Sequence, residues 1–177
     1  MRPADLTPLA RDVMRMPAGM GLVFLSLLGA YVLSVLPWSG WLLLVRPDFV
    51  LVVLLFWAVN EPRAMGQGLA FALGLLMDVS DSMLLGQHAL AYVVAVYGAQ
   101  IFRVRILSFR LPEQMLHVLG LLMAATIVML LLNLLLGADF PGAAMFVSPV
   151  LSCFVWPFAS WFLYLPGVRR SRNESAS

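Results

Sequence analysis

Polar breaks divide this chain into apolar runs at 16–45, 49–60, 64–77, 82–102, 114–138 and 140–168. A helix needs about 20 apolar residues to cross about 30 Å of hydrocarbon. The first, fourth, fifth and sixth runs meet that length alone. The second and third, at 12 and 14 residues, do not. Two arrangements accommodate them. In one, 49–77 is a re-entrant hairpin that never crosses. In the other, each short run extends past its flanking charge. Trp41 to Asn60 then spans with Arg46 and Asp48 inside its outer half, and Arg63 to Ser82 spans with Asp78 near its end. Pro37 favours the second arrangement, because it stops the long first run and frees Trp41–Val45 for helix two. The predicted fold is all-α: a polytopic membrane bundle of six transmembrane helices, two of them short. It occupies 18–166, with a leader at 1–17 and a disordered tail at 167–177.

Composition supports the membrane reading. The chain has 177 residues, 62% hydrophobic and 11% charged, where a soluble domain carries roughly 25% charged residues. All 11 basic residues are arginine. With the N-terminus inside, six crossings put ten of them on the inner side and only Arg46 outside, which is a strong positive-inside bias. Both termini are then cytoplasmic. Trp38 and Trp41 fall at the outer interface, and Trp161 and Tyr164 at the inner one, as aromatic anchors do. The first run is too long for the 7–15-residue apolar region of a signal peptide and reads as a retained span. The leader fits either a short interfacial helix or a solvated segment. A net charge of +2 with scattered arginines is too small to suggest nucleic-acid binding, and no nucleic-acid partner is predicted. Cys153, the single cysteine, reads as a small buried hydrophobe.

Lipid gives helices no hydrophobic reason to associate, so small residues that allow close approach matter. They recur at i, i+4 spacing, on one face of a helix: Ser26, Ala30 and Ser34; Gly66, Ala70 and Gly74; Ala91, Ala95 and Ala99; Gly120 and Ala124.

The densest polar cluster in an apolar setting is the bend from Gly74 to Leu90. An Asp at a membrane-helix centre costs about 2.5–3.5 kcal/mol on insertion scales, so such groups need a reason. Asp78 continues the Gly66–Ala70–Gly74 face, Gln87 continues the Ala91–Ala95–Ala99 face, and His88 is adjacent. Three roles fit: a hairpin cap, with Asp81 and Ser82 solvating the turn; a partner-binding or bundle-locking site; or a proton relay or solute site. Arg46-Pro47-Asp48 forms a second cluster. The two charges can partly neutralise each other, Pro suits a first helical turn, and Asp favours a helix N-terminus. It reads as a helix-start device or an outer-face docking site. Asn133, within Leu130–Leu136, is an intramembrane polar group suited to bonding another helix. Arg103, Arg105 and Arg110 mark an inner-face contact for a cytoplasmic partner or anionic lipid.

Catalytic templates are missing. There is no Gly-x-Ser-x-Gly elbow, and no His-Glu-x-x-His or Cys-x-x-Cys spacing. The absence of lysine excludes a phosphate-cradling loop that needs one. No metal site, cofactor or enzymatic activity is predicted.

Arg46-Pro-Asp48 opening a short second helix, then Gly74-Leu-Leu-Met-Asp78, then Leu84-Leu-Gly-Gln-His-Ala-Leu90, together resemble the bacterial rod shape-determining MreD family over roughly 20–165. The resemblance implies a non-enzymatic scaffold of the bacterial inner membrane. Its implied partners are MreC, the actin-like MreB, and the enzymes that polymerise and crosslink peptidoglycan. It also implies a bundle similar to the substrate-binding subunits of energy-coupling-factor transporters. The rival function is a small-solute-binding transporter subunit.

Overall fold

A computed structural model describes residues 20–40, 46–82, 84–138, 140 and 142–174, with side chains as far as 163. The described residues form helices and no strand. In chain order these are α1 (Met20–Val35), α2 (Phe49–Asn60), α3 (Gln67–Ser80), α4 (Gln87–Ile101), the short α5 (Arg103–Ser108), α6 (Leu111–Leu135) and α7 (Val147–Glu174). A single 3-10 turn, Ala143–Phe146, leads into α7.

The α2 helix is the core of the bundle. Its residues from Val50 to Val59 are almost all buried, because it packs against α1, α4, α5 and α7. This explains why it is apolar on every side: a helix with neighbours all round has no solvent face to make polar. By contrast, α3 packs mainly on α4, α4 on α6, and α6 on α7. The outer faces are also apolar. Phe24, Leu25 and Leu28 of α1, and Phe154, Phe158, Trp161 and Phe162 of α7, are all exposed. Apolar surface of that extent suits a lipid solvent and not water.

Two helical stretches are long and apolar enough to cross a membrane, Leu111–Leu135 and Ala143–Leu163. Three apolar helices are shorter, Met20–Val35, Phe49–Asn60 and Gln67–Ser80. At 1.5 Å per residue, α2 with its 12 residues covers only about 18 Å.

The structure changes three boundaries. The α2 helix starts at Phe49, so Arg46 and Asp48 precede it and do not lie within its outer half. The cause is local: the Asp48 carboxylate accepts the Leu51 N–H at 2.9 Å, closing an N-cap. The α3 helix starts at Gln67 and not at Arg63, because Pro62–Ala64 turn back on Glu61, whose carbonyl accepts the Ala64 N–H at 3.0 Å. The backbone of α7 stays helical through Glu174, past the expected end of the bundle at 166; once begun, a helix adds one hydrogen bond per residue fixed. The 1–17 leader, Trp41–Val45 and 175–177 lie outside the described residues.

Small-residue faces divide into those that pack and those that do not. Ala91, Ala95 and Ala99 are fully buried, as are Ala70, Gly74 and Asp78. Gly66 and Gly120 are exposed, and a Cβ on either would meet open space. Ala125, next to Ala124, is the buried alanine of α6.

Candidate functional site

One end of the bundle gathers six of the polar residues singled out in the sequence, Arg46, Asp48, Asp78, Gln87, His88 and Asn133. The elements meeting there are the C-terminal ends of α1 and α3, the N-terminal ends of α2, α4 and α7, and the later half of α6.

Asp78 is fully buried in the last turns of α3. Its carboxylate does not bond its own helix. It crosses the hairpin and accepts the Gly86 N–H at 2.8 Å and the His88 N–H at 2.9 Å. These are two of the free donors at the start of α4, and a negative group there also suits the helix dipole. The cap comes from another helix because Gly86, the residue at the N-cap, has no side chain to offer. Gly86 holds φ +102°, a left-handed conformation that glycine adopts without strain. His88 Nδ1 lies 2.8 Å from the same Asp78 oxygen that takes its backbone N–H. The ring stands edge-on to Tyr92 with centroids 5.8 Å apart.

Arg46 pairs with Asp81 and not with Asp48. Nη1 donates to Asp81 Oδ1 at 3.0 Å and Nη2 to Oδ2, a two-pronged pair with both side chains less than a fifth exposed. Nη1 also donates to the Ser34 carbonyl in the last turn of α1, at 2.9 Å, a favourable place for a cation. Of the roles open to the bend, the Asp81 side chain takes a bundle-locking one: it ties α3 to the segment before α2. The distance along the chain, 35 residues, hid this pairing from local spacing.

Asp48 has its own partners. Besides capping α2, it accepts the Tyr92 hydroxyl, 2.8 Å from each carboxylate oxygen. Its backbone N–H donates to Ser152 Oγ at 2.8 Å, and Ser152 donates to the Ser148 carbonyl at 2.8 Å. The Ser148 hydroxyl donates to the Arg46 carbonyl at 2.7 Å. Thus Arg46–Asp48 is tied to α4 through Tyr92 and to α7 through two serines. Gln87 Nε2 donates to Asn133 Oδ1, joining α4 to α6. Asn133 therefore meets an amide of its own kind and not a charge.

A cavity of about 240 Å³ lies among these groups. Arg46, Asp48, His88 and Ser34 form part of its wall, with Met77 and Met129 opposite in character. Ser34 Oγ is buried there without a hydrogen-bond partner among the described residues.

The predicted inner-face arginines separate in role. Arg103 Nε donates to the Val59 carbonyl at the end of α2, at 2.7 Å. Arg110 precedes α6, its N–H bonded to the Glu113 carboxylate at 3.2 Å. Arg105 is exposed on α5. Beside Arg103, Gln100 Nε2 donates to the Met65 carbonyl at 2.7 Å. Cys153 is buried, its thiol 3.2 Å from the Met115 carbonyl. No group of three His, Cys, Asp or Glu among the described residues could hold a metal ion.

A family model for rod shape-determining protein MreD matches residues 16–165, which includes every residue of the polar end. The chain belongs to the MreD family. It is also 34% identical over 68 residues to the rod shape-determining protein MreD of Haemophilus influenzae. That stretch covers 38% of this chain and 42% of the relative. No solved structure matches. For this family member, Tyr92, Ser148 and Ser152 are parts of the site that sequence reasoning did not assign to it. Tyr92 carried a usable signal: it sits at i+4 from His88 in an apolar helix, and a buried tyrosine hydroxyl needs a partner.

Proposed function

We propose that this chain is a non-enzymatic scaffold of the bacterial inner membrane. In this reading it maintains rod shape by linking MreC, MreB and the peptidoglycan synthases. Family membership supports the rod-shape role. One further observation carries the scaffold reading: the polar groups of the Asp78 end are engaged with one another across helices. Arg46 is held by Asp81, Asp48 by Tyr92, Gln87 by Asn133, and Asp78 by the start of α4. Such pairing fixes helix positions and gives a rigid end on which another protein can dock. In this reading the chain crosses six times, two of the spans being short, this end faces outside, and Asp78, Gln87, His88, Arg46 and Asp48 form the MreC contact. Arg103, Arg105 and Arg110 then face the cytoplasm in the same reading.

Depletion in a rod-shaped host should give rounded cells with solute uptake unaffected. Asp78→Ala should lower the recovery of MreC while the chain stays in the membrane. Normal shape with unchanged MreC recovery would sink the proposal. The cavity with its unpartnered Ser34 hydroxyl favours a second reading, solute binding. A small molecule that co-purifies with the chain and is lost with Ser34→Ala would support it.

A further inference from the structure

The end opposite Asp78 carries a separate recess. It has a volume of about 420 Å³, between α5 and the first half of α6. Phe102, Ile106, Gly120 and Leu121 line it with carbon, and Arg105 and His117 bring polar groups to it. Gly120 keeps it open, since no atom lies within 4 Å of where a Cβ would stand. The His117 ring is fixed: it stacks on Phe109 with centroids 5.0 Å apart, and Nδ1 bonds the Glu113 carbonyl at 2.9 Å. The surface around the recess is also apolar, with Phe102, Val104, Leu107 and Leu116 exposed.

The neighbouring arginines are placed differently. Arg103 Nε bonds the end of α2, and Arg110, at the start of α6 with its backbone N–H on the Glu113 carboxylate, does not line the recess. Arg105 makes no hydrogen bond or ion pair with any described residue. An unpaired guanidinium beside a carbon-lined recess calls for an occupant with an anionic head and a hydrocarbon chain. We infer that this recess binds an anionic glycerophospholipid, with one acyl chain along Gly120 and the phosphate on Arg105. Guanidinium presents two parallel N–H groups to phosphate oxygens. The inference rests on the membrane reading, because only there does this surface meet lipid.

The test is native mass spectrometry of the full chain released from detergent with phosphatidylglycerol or phosphatidylcholine. The wild type should retain phosphatidylglycerol in preference to phosphatidylcholine by about fivefold, the scale of one basic contact to anionic lipid. Arg105→Gln should abolish the preference, and Arg110→Gln should keep it. Gly120→Leu should reduce retention of both lipids by filling the recess; it replaces glycine with a stronger helix former, so loss of the helix is not expected. Glycerol phosphate, which has the head without the chain, should not compete. A preference that survives Arg105→Gln, or competition by glycerol phosphate, would overturn the lipid site while leaving the membrane reading intact. Recovery of the chain in the soluble fraction after carbonate extraction would overturn both.

Discussion

A Cβ on Gly74 would stand 2.4 Å from the Cα of Ala89 and 2.5 Å from its nitrogen. No side chain can occupy that place, so α3 and α4 touch backbone to backbone. Gly74 lies one turn before Asp78, and Ala89 follows His88. The close approach therefore sets the distance over which Asp78 caps α4. Gly74→Ala should destabilise the chain by about 1–3 kcal/mol, the usual cost of overpacking. Gly68→Ala, on the same helix in open space, should not. Thermal unfolding in detergent compares the two, and equal melting temperatures would refute the close-contact account.

Asp78 serves two backbone donors, so its loss leaves both unpaired. Each costs about 1–3 kcal/mol when buried. Asp78→Ala should therefore lower stability more than His88→Ala, which removes the ring and keeps both backbone bonds. Hydrogen exchange at Gly86 and His88 gives a direct measure. Faster exchange is expected for Asp78→Ala alone, and protection unchanged from wild type would refute the cap.

The Arg46–Asp81 pair is two-pronged and mostly shielded. Arg46→Lys keeps the charge but loses the fork, and it should be less stable than wild type. Removing one partner strands the other, so Arg46→Ala and Asp81→Ala should each cost more than their interaction alone explains. A double-mutant cycle should then return a coupling of about 0.5–3 kcal/mol, as for residues in one network. Strict additivity would show that the pair does not form.

Gln87 and Asn133 offer a comparison in neutral chemistry. Side-chain hydrogen bonds within a membrane protein average about 0.6 kcal/mol, with a maximum near 1.7. Gln87→Leu or Asn133→Leu alone leaves an unpaired amide, whereas the double leucine variant leaves none. The double variant should be more stable than the sum of the singles predicts. Steric-trap or denaturant unfolding would measure this, and a double variant worse than additive would exclude the bond.

How much of this was legible depended on distance along the chain. Helix existence was readable from run length, and six helices, α1 to α4, α6 and α7, each fall on one of the six apolar runs. The Asp78–His88 hairpin was readable because its parts lie within one bend, and the face shared by Gly74 and Asp78 follows from helical period alone. The start of α2 was misplaced because a single carboxylate cap outweighed an apolar run that continues to its N-terminal side. Gly66 and Gly120 share the i, i+4 pattern with residues that pack closely, yet neither has a neighbour. Spacing marks a face but does not say whether another helix lies against it.

The sequence by itself determined the solvent, the helical class and the local hairpin, since hydrophobic run length and turn chemistry act between near neighbours. It also supplied the ordered motifs by which the family is legible. Only the tertiary structure decided which charge meets which. Arg46 lies two residues from Asp48 and 35 from Asp81, yet it pairs with the distant one, because Asp48 is already engaged by the start of α2 and by Tyr92. Electrostatic pairing follows separation in space, and packing of α2 among its neighbours sets that separation.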